Sequence, residues 1–99
     1  MLRRFSNGAE DFRRSKAVMM RDLRVYVETL NGGAPGARAT FYSRRADGPF
    51  YRWLYEEEVG SWRFSRVHLS KFTMRVLCVT NWGAVPTALR ARLGEHYLE

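Results

Sequence analysis

Residues 50–67, FYRWLYEEEVGSWRFSRV, carry the densest run of aromatic side chains in the chain, and the fold turns on how they pair. Tyr51, Trp53 and Tyr55 alternate along a first arm, Trp62 and Phe64 along a second, with Glu-Glu-Glu-Val-Gly-Ser between them. Period-two alternation around a connection containing Gly60, which is free to take φ > 0, predicts a β-hairpin. Loop length then decides which faces meet. A loop of two or four residues is expected to place Glu57 opposite Trp62, Tyr55 opposite Phe64 and Trp53 opposite Arg66, gathering the rings on one face, whereas a three-residue loop shifts the parity and scatters them over both faces. The even register is preferred because it also sets Glu56 beside Arg63 on the other side.

Working outward, residues 38–45 read as a strand that runs into Ala46-Asp47-Gly48-Pro49. A two-residue Asp-Gly turn there sets Tyr42 opposite Trp53 and Arg44 opposite Tyr51. Residues 23–30, LRVYVETL, form an earlier strand with Leu23, Val25 and Val27 on one side, and the glycine-rich stretch 31–37 is a loop. After a connection at 68–72, residues 73–80 read as a last strand, apolar on both faces and hence central, with Cys78 buried and inert in it. Pro86 opens a C-terminal helix whose stripe is Val85, Leu89, Leu93, His96 and Tyr97, and Gly94 either weakens that helix or ends it. Asn7-Gly8-Ala9-Glu10 resembles a capping box and predicts a helix over residues 8–20.

The expectation is a single α+β domain, an antiparallel β-meander of about five strands with an N-terminal and a C-terminal helix. Residues 1–18 are its basic leader or N-terminal helix and residues 19–99 its α+β body, with Met19 or Met20 as an alternative start.

Composition narrows the function. The chain has 99 residues, 45% of them hydrophobic and 14% aromatic, which fits one globular domain and argues against disorder. Seventeen basic residues stand against 10 acidic ones, a net charge of +7, and Lys16 and Lys71 are the only lysines. Arginine in excess suits bidentate phosphate contacts and ring stacking, though a GC-rich coding sequence would produce the same bias. A single cysteine excludes an internal disulfide and a cysteine-cluster metal site. No apolar run approaches the length of a membrane span, and Arg3-Arg4-Phe5-Ser6 lacks the apolar segment of an export signal, so a cytoplasmic location is expected.

Both hairpin registers carried through give a candidate binding face of Tyr42, Arg44, Tyr51, Trp53, Tyr55, Trp62, Phe64 and Arg66. Its rings are covered by helices or a dimer mate, or else they form a groove where single-stranded nucleic acid stacks on rings and meets Arg44 and Arg66. The opposite face holds Ala39, Phe41, Phe50, Leu54 and Val67 with Arg52 and Arg63, and looks like core.

The sequence holds no recognisable catalytic constellation. Glu56-Glu57-Glu58 abuts a turn and reads as a solvated loop, with Glu56 paired to Arg63 and Glu57 to Arg38. His68 reads as a rim residue and His96 as a helix C-terminal residue. The glycines at 32, 33 and 36 lack the Gly-Lys-Ser/Thr end of a phosphate loop. Pro86-Thr-Ala-Leu89-Arg90-Ala-Arg92-Leu93-Gly94 resembles the Pro-x-x-Leu-Arg-x-x-Leu-Gly segment of AbrB-type swapped-hairpin DNA-binding domains. The α-β-β-β-α order resembles double-stranded-RNA-binding domains, without the Lys-rich start of their second helix.

The resulting reading is a small basic non-enzymatic binding module, without cofactor or metal, whose partner is a nucleic acid or another polyanion and which forms a homodimer. The alternatives are a small apolar-ligand or enzyme pocket between curled sheet and helix, lined by Trp53, Trp62 and Tyr55, or a protein-interaction subunit without ligand.

Overall fold

The computed structural model describes residues 21–29 and 39–98. Five antiparallel strands form one sheet: β1 (Leu23–Glu28), β2 (Phe41–Arg45), β3 (Phe50–Glu56), β4 (Ser61–Val67) and β5 (Leu77–Val79). A short helix α1 (Lys71–Arg75) precedes β5, and a longer helix α2 (Thr87–Tyr97) closes the described chain. The first four strands are a meander, and β5 returns to the far side of β1, giving the order β4-β3-β2-β1-β5.

Alternation puts Leu23, Val25 and Val27 of β1 on one face, and α2 packs there. Its buried side chains Leu89, Leu93 and Tyr97 recur every fourth residue, continuing from buried Val85 just ahead of the helix. With Phe41, Trp53 and Trp62 from the middle of the sheet they make one core, edged by Ala39, Tyr51, Tyr55 and Leu98. Phe41 meets Trp62 edge-on at 5.6 Å, and Tyr55 meets Trp62 in the same way.

The central hairpin forms with the expected parity but with its register shifted by two residues. Tyr55 pairs with Trp62, Trp53 with Phe64 and Tyr51 with Arg66, joined by a four-residue loop in which Gly60 sits at φ 69°. Glu56 and Arg63 form the expected ion pair at 3.2 Å, as diagonal neighbours.

The preceding hairpin differs in parity. Phe41 pairs with Trp53, Tyr42 with Arg52 and Ser43 with Tyr51, one residue away from the register a two-residue turn would give. Such a turn needs φ > 0 at both Asp47 and Gly48. Gly60 is the one residue among those described with positive φ, and Gly48 N–H instead closes a turn onto the Arg45 carbonyl at 3.0 Å. The slip decides which side chains are inside. It buries Phe41 and Ser43 and turns Tyr42 and Arg44 to the other face of the sheet, so the eight-residue face expected from sequence divides.

The last strand is also corrected. The Ser70 hydroxyl accepts the Thr73 N–H at 3.1 Å and starts a helix where a strand was expected, so β5 shrinks to three residues at an edge of the sheet. An edge strand with no neighbour beyond it among the described residues leaves Cys78 exposed, not buried. The helix expected over 8–20, the loop at 31–37 and the Glu57–Arg38 pair lie outside the described residues.

Gly94 lies inside α2, and a Cβ added to it would meet nothing within 4 Å. Gly94→Ala is therefore expected to raise unfolding stability by about 0.5–1 kcal/mol in urea titration. A loss would show that the site is packed.

Candidate functional site

The two faces of the sheet have different chemistry. On the α2 face, Trp53 is 0% exposed and its indole Nε1–H donates to the Ser43 hydroxyl at 2.8 Å. The same hydroxyl lies 2.7 Å from the Tyr97 hydroxyl, and both groups are buried. Arg45 donates to the Tyr97 carbonyl and rests over its ring, 5.5 Å from the centroid. At the rim, the His96 ring lies 4.5 Å from both Tyr51 and Phe64, and Arg92 Nε donates to the Trp62 carbonyl at 3.2 Å.

Six of the residues expected to bind, Tyr51, Trp53, Tyr55, Trp62, Phe64 and Arg66, do share this face. Trp53 and Trp62 are packed inside the core, however, and only the rim residues Phe64 and Arg66 are exposed. The cavity between Phe64, Arg92, Glu95 and His96, over Trp53, is about 190 Å³. That is smaller than the roughly 300–1,000 Å³ of ordinary small-molecule sites.

Tyr42 and Arg44, the other two expected residues, stand on the opposite face, and the register gives them new neighbours. Arg24 pairs directly with Arg44 across β1 and β2, Tyr26 with Tyr42, and Tyr42 with Arg52 across β2 and β3. Leu54 and Arg63 pair on the same side across β3 and β4. Arg24, Arg52, Leu54 and Arg63 are exposed, while Tyr26, Arg44 and Phe50 are half-buried. The Arg44 guanidinium lies over the Phe50 ring at 4.9 Å, and Tyr26 lies 5.8 Å from Phe50. A buried Nε of Arg44 has no hydrogen-bond partner among the described residues.

Two acidic side chains of the described strands lie on this face. Glu28 accepts from the Tyr42 hydroxyl at 3.3 Å, and Glu56 is paired with Arg63. Like charges set directly opposite in a sheet repel, and the two guanidinium groups take separate partners: Arg24 donates to the Arg21 carbonyl at 2.6 Å and to the Leu23 carbonyl, while Arg44 lies over Phe50. Sequence reading missed Arg24, Tyr26, Phe50 and Arg52 as one group. Their common face was implied by Leu23, Val25 and Val27 pointing the other way, but joining β1 to β3 needs the β2 register.

Among the described residues, no cluster of three or more His, Cys, Asp or Glu side chains could hold a metal ion. No helix among them is long and apolar enough to cross a membrane. No family model, curated protein or solved structure matches the chain.

Burial pushes the Tyr97 phenol above the ordinary 10.0, opposed by the Ser43 hydrogen bond. Burial and then the charge of Glu28 push Tyr42 in the same direction. A raised tyrosine keeps its proton in the folded chain while the unfolded chain loses it. Its contribution to stability is therefore complete below pH 10.0 and lost as pH rises beyond. Urea titrations are expected to show stability falling above that pH, with a shallower fall in Tyr97→Phe. At neutral pH, Ser43→Ala should cost about 1–3 kcal/mol, because it strands both the indole N–H and the phenol. Tyr97→Phe should cost less, about 0.5–1.5 kcal/mol, since the Trp53–Ser43 bond survives.

Proposed function

We propose that the chain is a non-enzymatic binding module that holds a nucleic acid, in single-stranded form, across the sheet face opposite α2. The observation that carries this reading is the directly opposed Arg24–Arg44 pair, with Arg52 on the neighbouring strand and the rings of Tyr26 and Phe50 beside them. A phosphate between Arg24 and Arg44 would turn a repulsion into charge-assisted hydrogen bonds. The half-buried Tyr26 ring, and Phe50 with the Arg44 guanidinium over it, are planar groups on which unpaired bases stack, whereas duplex DNA or RNA keeps its bases stacked on one another. The net charge of +7 draws a polyanion from a distance. The small cavity over Trp53 gives the apolar-ligand alternative little room.

Fluorescence anisotropy with a labelled single-stranded oligonucleotide over a salt series tests the reading. Arg24→Ala, Arg44→Ala and Arg52→Ala are each expected to flatten the slope of log affinity against log salt by about 0.7, the increment for one phosphate contact to a single strand. Tyr26→Ala is expected to cost about 1–3 kcal/mol of binding and to leave the slope nearly unchanged. Arg92→Ala, on the α2 side, should alter neither. Affinity that does not respond to salt, or that falls equally with Arg92→Ala, would overturn the proposal.

A further inference from the structure

The sheet has two outer edges, and they are built differently. β4 carries the exposed Arg63 and Arg66, the kind of charged guard that discourages strand-on-strand pairing. β5 has no such guard. Residues 76–82, VLCVTNW, contain no charged side chain in a chain that is 27% charged. Val79 is 68% exposed, Trp82 lines a cavity with it, and Phe72 and Met74 of α1, which precedes β5, are exposed as well.

Hydrogen-bond phase shows what the edge offers. Thr29 N–H donates to the Val76 carbonyl, and Thr80 N–H to the Val25 carbonyl, both at 2.9 Å. Antiparallel bonding alternates residue by residue, so Cys78, like Val76 and Thr80, turns its backbone groups toward β1. Leu77 and Val79 turn theirs outward, where the sheet order has no further strand among the described residues. Outward N–H and C=O groups in that arrangement are a template for one more strand.

We propose that this strand is β5 of a second copy of the chain, paired antiparallel about a two-fold axis at Cys78. Leu77 of each copy then exchanges both backbone hydrogen bonds with Val79 of the other. Cys78 meets its twin at the intervening non-hydrogen-bonded position, where Cα atoms approach to about 4.5 Å. Charge favours this edge over β4. Two copies at +7 repel each other, and pairing through β5 brings no arginine of the strand against another, whereas pairing through β4 would bring Arg63 and Arg66 of both copies together. Three paired residues alone bury less than the roughly 1,200 Å² of a stable interface. The two-fold axis adds to them by setting the α1 end of one strand beside the Trp82 end of the other, so that Phe72, Met74 and Trp82 join the contact. The axis is perpendicular to the sheet, which leaves the arginine faces of both copies on one side.

Sedimentation velocity over a concentration series, without nucleic acid, tests this independently of the binding reading. The unaltered chain is expected to pass from monomer to dimer with concentration. In the dimer, the thiol–thiol cross-linker dibromobimane should join Cys78 to its twin. Val79→Pro removes an outward N–H and breaks no bond to β1, so it should stay monomeric with an unchanged circular-dichroism spectrum. If Val79→Pro does not fold, Val79→Lys at the same exposed position carries the test, with dimer affinity expected to fall at least about tenfold. A chain monomeric at every concentration would overturn the proposal. So would a dimer that survives both substitutions, or one that dibromobimane fails to cross-link at Cys78.

Discussion

One buried hydroxyl ties the sheet to the helix. Ser43 accepts the indole N–H of Trp53 and pairs with the phenol of Tyr97, so strands β2 and β3 and the last turn of α2 meet at a single oxygen. Ser43 is completely enclosed, and an unpartnered polar atom in that position would be costly. The bridge is therefore a constraint as much as a bond. It is satisfied only if β2 faces α2 with Phe41 and Ser43, because Tyr42 and Arg44 lie on the other side of the strand. Apolar burial points the same way: Phe41 and both buried tryptophans fill the core, and a one-residue slip would exchange Phe41 for Tyr42 and Ser43 for Arg44.

From that register follows the chemistry of the other face. Once Ser43 is inside, Arg44 must be outside, and β1 brings Arg24 directly against it. Of the described carboxylates on this face, Glu56 is paired with Arg63 and Glu28 accepts from the Tyr42 hydroxyl, and among the described residues neither forms an ion pair with Arg24 or Arg44. The sheet thus separates its work. One face is filled with rings locked by hydrogen bonds and edge-to-face packing, and the other presents arginine among half-buried rings. The two edges divide similarly, with arginine guarding β4 and an uncharged stretch along β5.

Much of the fold was legible. Alternating Tyr51, Trp53 and Tyr55 against Trp62 and Phe64 identifies the hairpin, and the four-residue spacing of Val85, Leu89, Leu93 and Tyr97 identifies the helix that covers it. The candidate site was less legible, because its composition depends on parity. Asp47-Gly48 is a strong two-residue turn signal, yet Pro49 cannot donate to the ladder and the chain closes a turn at Arg45 instead. One residue of slip moved Tyr42 and Arg44 away from the tryptophans and toward Arg24 and Arg52. The apolar run around Cys78 misled for a related reason. Continuous hydrophobicity reads as a central strand, whereas the Ser70 cap starts a helix and leaves β5 at an edge. Apolar side chains at an exposed edge and in a core look alike in sequence.

The central claim is that β2 turns Ser43 inward and thereby makes the Arg24–Arg44 face the binding surface. Nitrogen-15 chemical-shift mapping during titration with a single-stranded oligonucleotide reads both parts in one experiment, through backbone amides and arginine Nε–H groups. The account predicts the largest shifts at Arg24, Tyr26, Arg44, Phe50 and Arg52, with Ser43 and Tyr97 unmoved. Shifts concentrated instead at Phe64, Arg66, Arg92 and His96, on the side that α2 covers, would contradict it.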